Sequence, residues 1–354
     1  MTQTLQEIQV SLGAVFEGES TIPNSFGNDL AALSAIKKGV ILCDRSHSGL
    51  IRLTGEDRVQ FLHNQSTNDI KRLQPGEGCQ TVFVTSTART IDLATVYATE
   101  EELLLWLSPG QNQSMIKWLD RYLFPMDRVK LTDISEEMAI FTLIGEGSEN
   151  FIKNLSLEGL SSQLEGNHTQ FNLAGEEIKI AVGNGLGLSG YTLIMPINGA
   201  GKVWGELVKK GAIPAGDRLW EQLRIQQGRP LPEAELTDEY NPLEAGLWNK
   251  ISFEKGCYIG QETVARLNTY KGVKQRLWGI KLDAPVAPDT PIIIEEKKVG
   301  KITSSIDTPE GSLGLAYLKT KAGGEGLKVK IGESTGEFVA VPFLSHEYYA
   351  GKQS

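Results

Sequence analysis

Cysteine is scarce in this chain: Cys43, Cys79 and Cys257 are its only three among 354 residues. An odd, widely spaced set makes no disulfide framework and fits a reducing compartment. No CxxC pair or Cys/His cluster is present, which argues against a preformed zinc or four-cysteine cluster site, so no metal site is expected. Long apolar runs are missing too, and nothing in the sequence is long enough to span a bilayer. The opening stretch, MTQTLQEIQVSLGAVFEGES, lacks the basic start and apolar core of a secretory signal. It reads instead as a short amphipathic helix with Leu5, Ile8 and Leu12 on one face. Positive charge is in deficit: a net charge of −9 argues against general binding to nucleic acid or to an anionic membrane. These absences predict a cytoplasmic globular protein.

What is present reads as an α+β chain of more than one module. A helix is expected over 28–39, with Asp29 at its start and Gly39 as its stop. The strands GVILCD and SGLIRLTG follow, then a helix in EDRVQFLHNQ. GCQTVFVTSTARTIDLATVYAT and ELLLWLS read as strands of one sheet. Ser108 is the expected N-cap of the next helix, with Pro109 in its first turn and Met115, Ile116, Leu119 and Leu123 on its apolar face. GLGLSG, Gly185 to Gly190, has the spacing of a dinucleotide fingerprint, but YTLIMP after it reads as a strand. A turn between strands is therefore expected there, not a phosphate cradle. GDRLWEQLRIQQGRP is a helix that buries Leu219, Trp220 and Leu223. From about Arg276 the texture changes to short strands and turns, an all-β module.

Two stretches carry a resemblance. LCDRSHSGLIRLTGEDRVQFLHNQSTNDIKRLQPG resembles the opening of the folate-dependent aminomethyltransferases, the glycine-cleavage T-protein family. NPLEAGLWNKISFEKGCYIGQE is similar to the YgfZ branch of that family, and TVFVTSTARTIDLAT to its cyanobacterial and chloroplast members. The resemblance implies a three-domain ring with a C-terminal small β-barrel. It places a folate-binding module of two intertwined subdomains over residues 1–268 and the barrel over 276–354. It implies tetrahydrofolate, or a polyglutamylated derivative, as cofactor, and iron–sulphur assembly machinery or its client enzymes as partners. The implied function is a folate-binding accessory factor for iron–sulphur cluster assembly or repair. The alternatives are a true aminomethyltransferase and a non-catalytic scaffold retaining the fold. In a plant the implied location is the plastid stroma.

The chemistry centres on KGCYIGQE, Lys255 to Glu262. Residues 250–281 hold seven basic and two acidic side chains, and cations near a thiol favour its nucleophilic thiolate form. The plain alternative for Cys257 is a small buried hydrophobe. The resemblance assigns Cys257 as the reactive residue. Around it, Lys255, Tyr258, Gly260, Gln261, Glu262 and Arg266 are expected to line the cofactor, with Lys271, Lys274 and Arg276 steering an anionic folate tail. Glu262 is read as an acceptor for Lys255 or as a helix cap. Thr67, Asn68 and Asp69 either build a turn or touch the ligand. Two family positions are altered. Gln226 stands in Arg224-Ile225-Gln226-Gln227-Gly228, where the family has a glutamate that forks onto the pterin. Asp92, in Ala88-Arg89-Thr90-Ile91-Asp92, keeps one carboxylate of a stretch whose glycines are gone.

Overall fold

The computed structural model describes residues 3–157, 159–160 and 163–351, and it is a mixed α+β structure built on three sheets. The described chain forms two compact units. One holds residues 1–59, 72–80 and 95–220; the other holds 60–71, 81–94 and 221–354.

The first unit opens with the helix Leu5–Ser11. Thr4 caps it, and the Glu7 carboxylate returns the bond to the Thr4 N–H at 2.8 Å. Leu5 and Ile8 pack on the core as expected, whereas Leu12 has left the helix and is exposed. The main sheet runs in the order Ile213–Ala215, Ile41–Asp44, Met138–Ile144, Gly190–Pro196, Glu176–Val182, His168–Leu173. Only the pairing of Ile41–Asp44 with Ile213–Ala215 is parallel. The helix Ile197–Lys209 covers this sheet with Ala200, Val203, Trp204 and Leu207, and the Trp204 ring meets Phe141 edge-on at 5.0 Å. GLGLSG is a turn between two antiparallel strands, and the helix that follows begins only at Ile197.

Two helix boundaries differ from the sequence reading. The early helix ends at Ala35, and Gly39 is not its left-handed stop. Residue 39 instead lies against Gly145, where a Cβ would meet the Gly39 carbonyl oxygen at 2.3 Å, so the close approach demands glycine at 145. Ser108 and Pro109 remain in the strand Glu102–Pro109, with Pro109 opposite Ser48, so the helix begins at Asn112 with Gln111 before it. That strand belongs to a second sheet, in the order Gly78–Val84, Thr90–Ala98, Glu102–Pro109, Ser48–Thr54, Lys130–Asp133.

In the second unit six antiparallel strands run in the order Pro291–Ile294, Lys297–Thr308, Gly311–Lys319, Gln275–Leu282, Ser334–Val339, Lys328–Ile331. The two outer strands approach each other, so the sheet curls into a nearly closed barrel. Ile280, Ile292, Ile302, Leu318 and Phe338 fill it. The expected all-β module is this barrel.

All four histidines, His47, His63, His168 and His346, are held neutral by burial, which lowers each from 6.5 to about 4. A base whose pKa falls on folding stabilises the fold fully above 6.5, and that contribution is lost as pH drops toward 4. Asp44 and Glu244, whose carboxyls burial pushes up, act in the opposite sense. Urea midpoints are expected to fall on acidification through this window, and His346→Gln should flatten the slope. A flat profile, or an unchanged slope in the variant, would count against this assignment.

Candidate functional site

KGCYIGQE lies in the second unit, and its backbone is irregular until the helix Gln261–Thr269. Regular hydrogen bonding therefore does not fix it; Lys255 does. Its side chain is 7% exposed, and its ammonium donates to three main-chain oxygens: His63 O at 2.5 Å, Ser66 O at 2.6 Å and Asn68 O at 2.8 Å. His63 sits in the last turn of the helix Arg58–Gln65, where carbonyls lack intrahelical partners and the helix dipole is negative. A buried ammonium needs full hydrogen bonding, and these acceptors match its three protons. The same charge lies 5.0 Å from the centre of the Tyr258 ring. Main-chain ties reinforce the contact: Ile259 N donates to Asn64 O at 3.1 Å and Ser252 N to Thr67 O at 3.0 Å. The Thr67 hydroxyl donates to Lys250 O at 3.0 Å.

Gly260 holds the other end of the segment. It precedes the helix in the left-handed conformation, φ +82°, and a Cβ there would lie 2.8 Å from Thr85 O and 3.2 Å from Ala88 Cα. Conformation and space both demand glycine. Between these anchors Gly256 and Cys257 are exposed, so the reading of Cys257 as a buried hydrophobe does not hold. Cys43, by contrast, is buried, and burial pushes its thiol up to about 12.

The remaining expected site residues are distributed as follows. Tyr258 is buried, and burial pushes its hydroxyl well above the usual range. Gln261 is half-buried, while Glu262 and Arg266 are exposed in the first and last turns of their helix. Glu262 accepts nothing from Lys255 in the bonds described; the carbonyls take that role. Arg276 is not free to steer a ligand: it donates to His346 O at 2.8 Å and stands against Trp248 and Tyr348. Lys271 and Lys274 are exposed. Asp92 is wholly buried, and its carboxylate accepts from Leu93 N at 2.8 Å. Gln226 lines a recess of about 630 Å³ on the barrel with Lys281, Glu310 and Glu325, and neither Lys255 nor Tyr258 is in that lining. Its neighbour Arg224 is committed to Glu235 at 3.2 Å and Ser304 at 2.8 Å. The structure thus joins Lys255, Tyr258 and Gly260 around Cys257, and Gln226 lines a recess on the barrel.

Sequence reasoning did not find the acceptors at His63, Ser66 and Asn68. They act through main-chain oxygens and lie 187 to 192 residues from Lys255, so no side-chain pattern marks them. Thr67 and Asn68 lie in a bend, and Asn68 O forms part of the cradle.

Lys255→Met keeps the stem but removes the donor that the three carbonyls share. It is expected to cost about 3 kcal/mol in urea unfolding. Lys255→Arg should not rescue, because a planar fork cannot meet three converging acceptors. Gly260→Ala should cost about 2 kcal/mol. Losses below about 0.5 kcal/mol, the range of ordinary surface changes, would refute the tether.

Comparison with known proteins gives the family. The pattern described as the GCVT N-terminal domain matches residues 5–255. A chloroplastic protein of Arabidopsis thaliana with a provisional transferase name is 46% identical over 347 residues, covering 97% of this chain and 80% of that one. An aminomethyltransferase of Listeria monocytogenes is 28% identical over 318 residues, 88% of this chain and 87% of that one. The crystal structure of the glycine cleavage system aminomethyltransferase T from Bartonella henselae superposes with a TM-score of 0.84 at 20% identity, over 98% of this chain and 99% of that one. The fold is therefore the GcvT-like α+β fold with a C-terminal barrel, and the chain belongs to the GCVT N-terminal domain family.

Proposed function

We propose that this family member is a tetrahydrofolate-binding accessory factor for assembly or repair of iron–sulphur proteins, with Cys257 as its reactive side chain. The supporting observation is an exposed thiol on a segment pinned at Lys255 and at Gly260. A thiolate so placed can attack a disulfide or an electrophile, or ligate a soft metal in transit. The partners in this reading are the assembly machinery or client enzymes. The location is the cytoplasm, or the plastid stroma in a plant. No helix among the described residues is long and apolar enough to cross a membrane.

Residue chemistry fits folate in part. A pterin edge needs a hydrogen-bonding carboxylate or amide, and the glutamyl end needs cations. Gln226, on the barrel recess, and Asp92, though wholly buried, are of the first type, and Gln261, Glu262 and the exposed Arg266 belong to the helix that follows the thiol segment. Lys255 and Tyr258 do not fit as ligand contacts, because one ammonium is bonded to three carbonyls and the buried ring takes that ammonium on its face. Folate would supply a one-carbon carrier; the chain's part is to bind it and to present the thiol.

A second reading, aminomethyl transfer, draws support from one observation. Ala88, at the place of the family's first glycine, has φ +60°. Ala88 thus holds a left-handed bend that suits glycine, at a cost of about 1 kcal/mol. Formation of methylenetetrahydrofolate from an aminomethyl-lipoyl carrier protein would establish that reading. Failure to bind tetrahydrofolate would leave a scaffold.

The decisive measurement is the activity of a cluster-dependent enzyme in the native cell carrying Cys257→Ser at normal protein level. Activity is expected to fall to the level of a full deletion while glycine cleavage stays intact. Unchanged activity beside a clear deletion defect would make Cys257 a bystander.

A further inference from the structure

The first unit contains a recess of about 440 Å³ that the Cys257 site does not use. That volume is typical of small-molecule sites. One wall is polar and buried. Gln9 has no exposed surface, and its Nε2 donates to Asp44 Oδ2 at 2.8 Å, which fixes the orientation of its amide. Its Oε1 is then a buried acceptor with no partner. Asp44 is 4% exposed, and its Oδ1 accepts from Ser46 N at 2.9 Å. His47 Nδ1 is a second buried polar atom without a partner, and it is an acceptor in the tautomer that carries the proton on Nε2. Burial and then the Arg45 charge lower His47 to about 4, so it faces the recess as a neutral imidazole. Arg45 itself is absent from the lining; it pairs with Asp217 and stacks on Trp220 at 3.7 Å. The other wall is apolar, with Ile22, Met138 and Ile197.

An acceptor left bare in a protein interior is costly unless something donates to it. The wall offers acceptors and a carboxylate, and it excludes the anionic end of a folate. Among the described residues no group of three or more His, Cys, Asp and Glu gathers to hold a metal. The ligand that satisfies such a wall is a cation carrying N–H donors, and the apolar side asks for an alkyl stem. We propose that this recess binds a primary aliphatic ammonium, its N–H groups on Gln9 Oε1, Asp44 and His47 Nδ1 and its stem against Ile22, Met138 and Ile197. The proposal is independent of the role given to Cys257.

Calorimetry on the full chain with n-butylammonium tests it, with 1-butanol, butyrate and tetramethylammonium as comparisons. Saturable binding is expected for n-butylammonium alone. Gln9→Met should weaken it about tenfold, the loss of one charge-assisted hydrogen bond. Met138→Trp, a bulkier side chain on the apolar wall, should abolish it. Equal binding of tetramethylammonium would show mere attraction to an acidic surface and overturn the proposal. So would equal binding of butanol, no saturable binding at all, or binding unchanged in both variants.

Discussion

A lysine ammonium buried among three main-chain carbonyls organises the part of this protein that carries its exposed thiol. Taking an ammonium out of water costs several kcal/mol, and little returns unless every proton is bonded. Here every proton has an acceptor, and one acceptor closes the negative end of a helix. The residues between Ile251 and Gly260 have no ladder or helix of their own. Without Lys255 that loop would keep only its few main-chain ties, and an exposed loop held so lightly opens readily. With it, Cys257 is exposed but not loose. Exposure and fixed placement seldom coincide in a loop, and the cradle is what reconciles them.

The second constraint is steric. Gly260 turns the chain into its helix in a space bounded by Thr85 and Ala88, so the thiol segment is set against the turn at 85–89. That turn is itself held: the Thr90 hydroxyl donates to Thr237 O at 2.9 Å and Arg89 to Glu239 O at 2.7 Å. The thiol segment and the turn at 85–89 are therefore packed together. A side chain added at Gly260 would disturb both.

Much of the fold is legible in the sequence because periodicity reports burial. The strands from Ile41 to Thr54, the helix from Asp217 and the barrel after Gln275 all follow their hydrophobic patterns. Boundaries fail where one residue type serves two purposes. Ser108 and Pro109 suit a helix start, but pairing opposite Ser48 holds them in a strand. Gly39 suits a helix stop, but the helix ends at Ala35 and Gly39 is not left-handed. At the site, the motif was visible and its internal roles were not. Lysine beside cysteine suggests a ligand contact or a field acting on the thiol. Its ammonium is bonded to three peptide oxygens, which every residue has and no sequence distinguishes.

The cationic excess in the sequence around Cys257 illustrates the same limit. Seven basic residues fall between 250 and 281. Lys255 is buried in its cradle, and Arg276 is bonded to a carbonyl and flanked by aromatic rings. A charge so committed is shielded from an incoming partner, while exposed charges such as Lys274 are screened by salt beyond about 10 Å. A count of residues thus overstates the field a partner would meet. What the fold supplies securely is geometry: a thiol at the surface between two fixed points. Selectivity for a partner then has to come from the shape and contacts of the surface around Gly256 and the helix Gln261–Thr269, not from attraction at a distance.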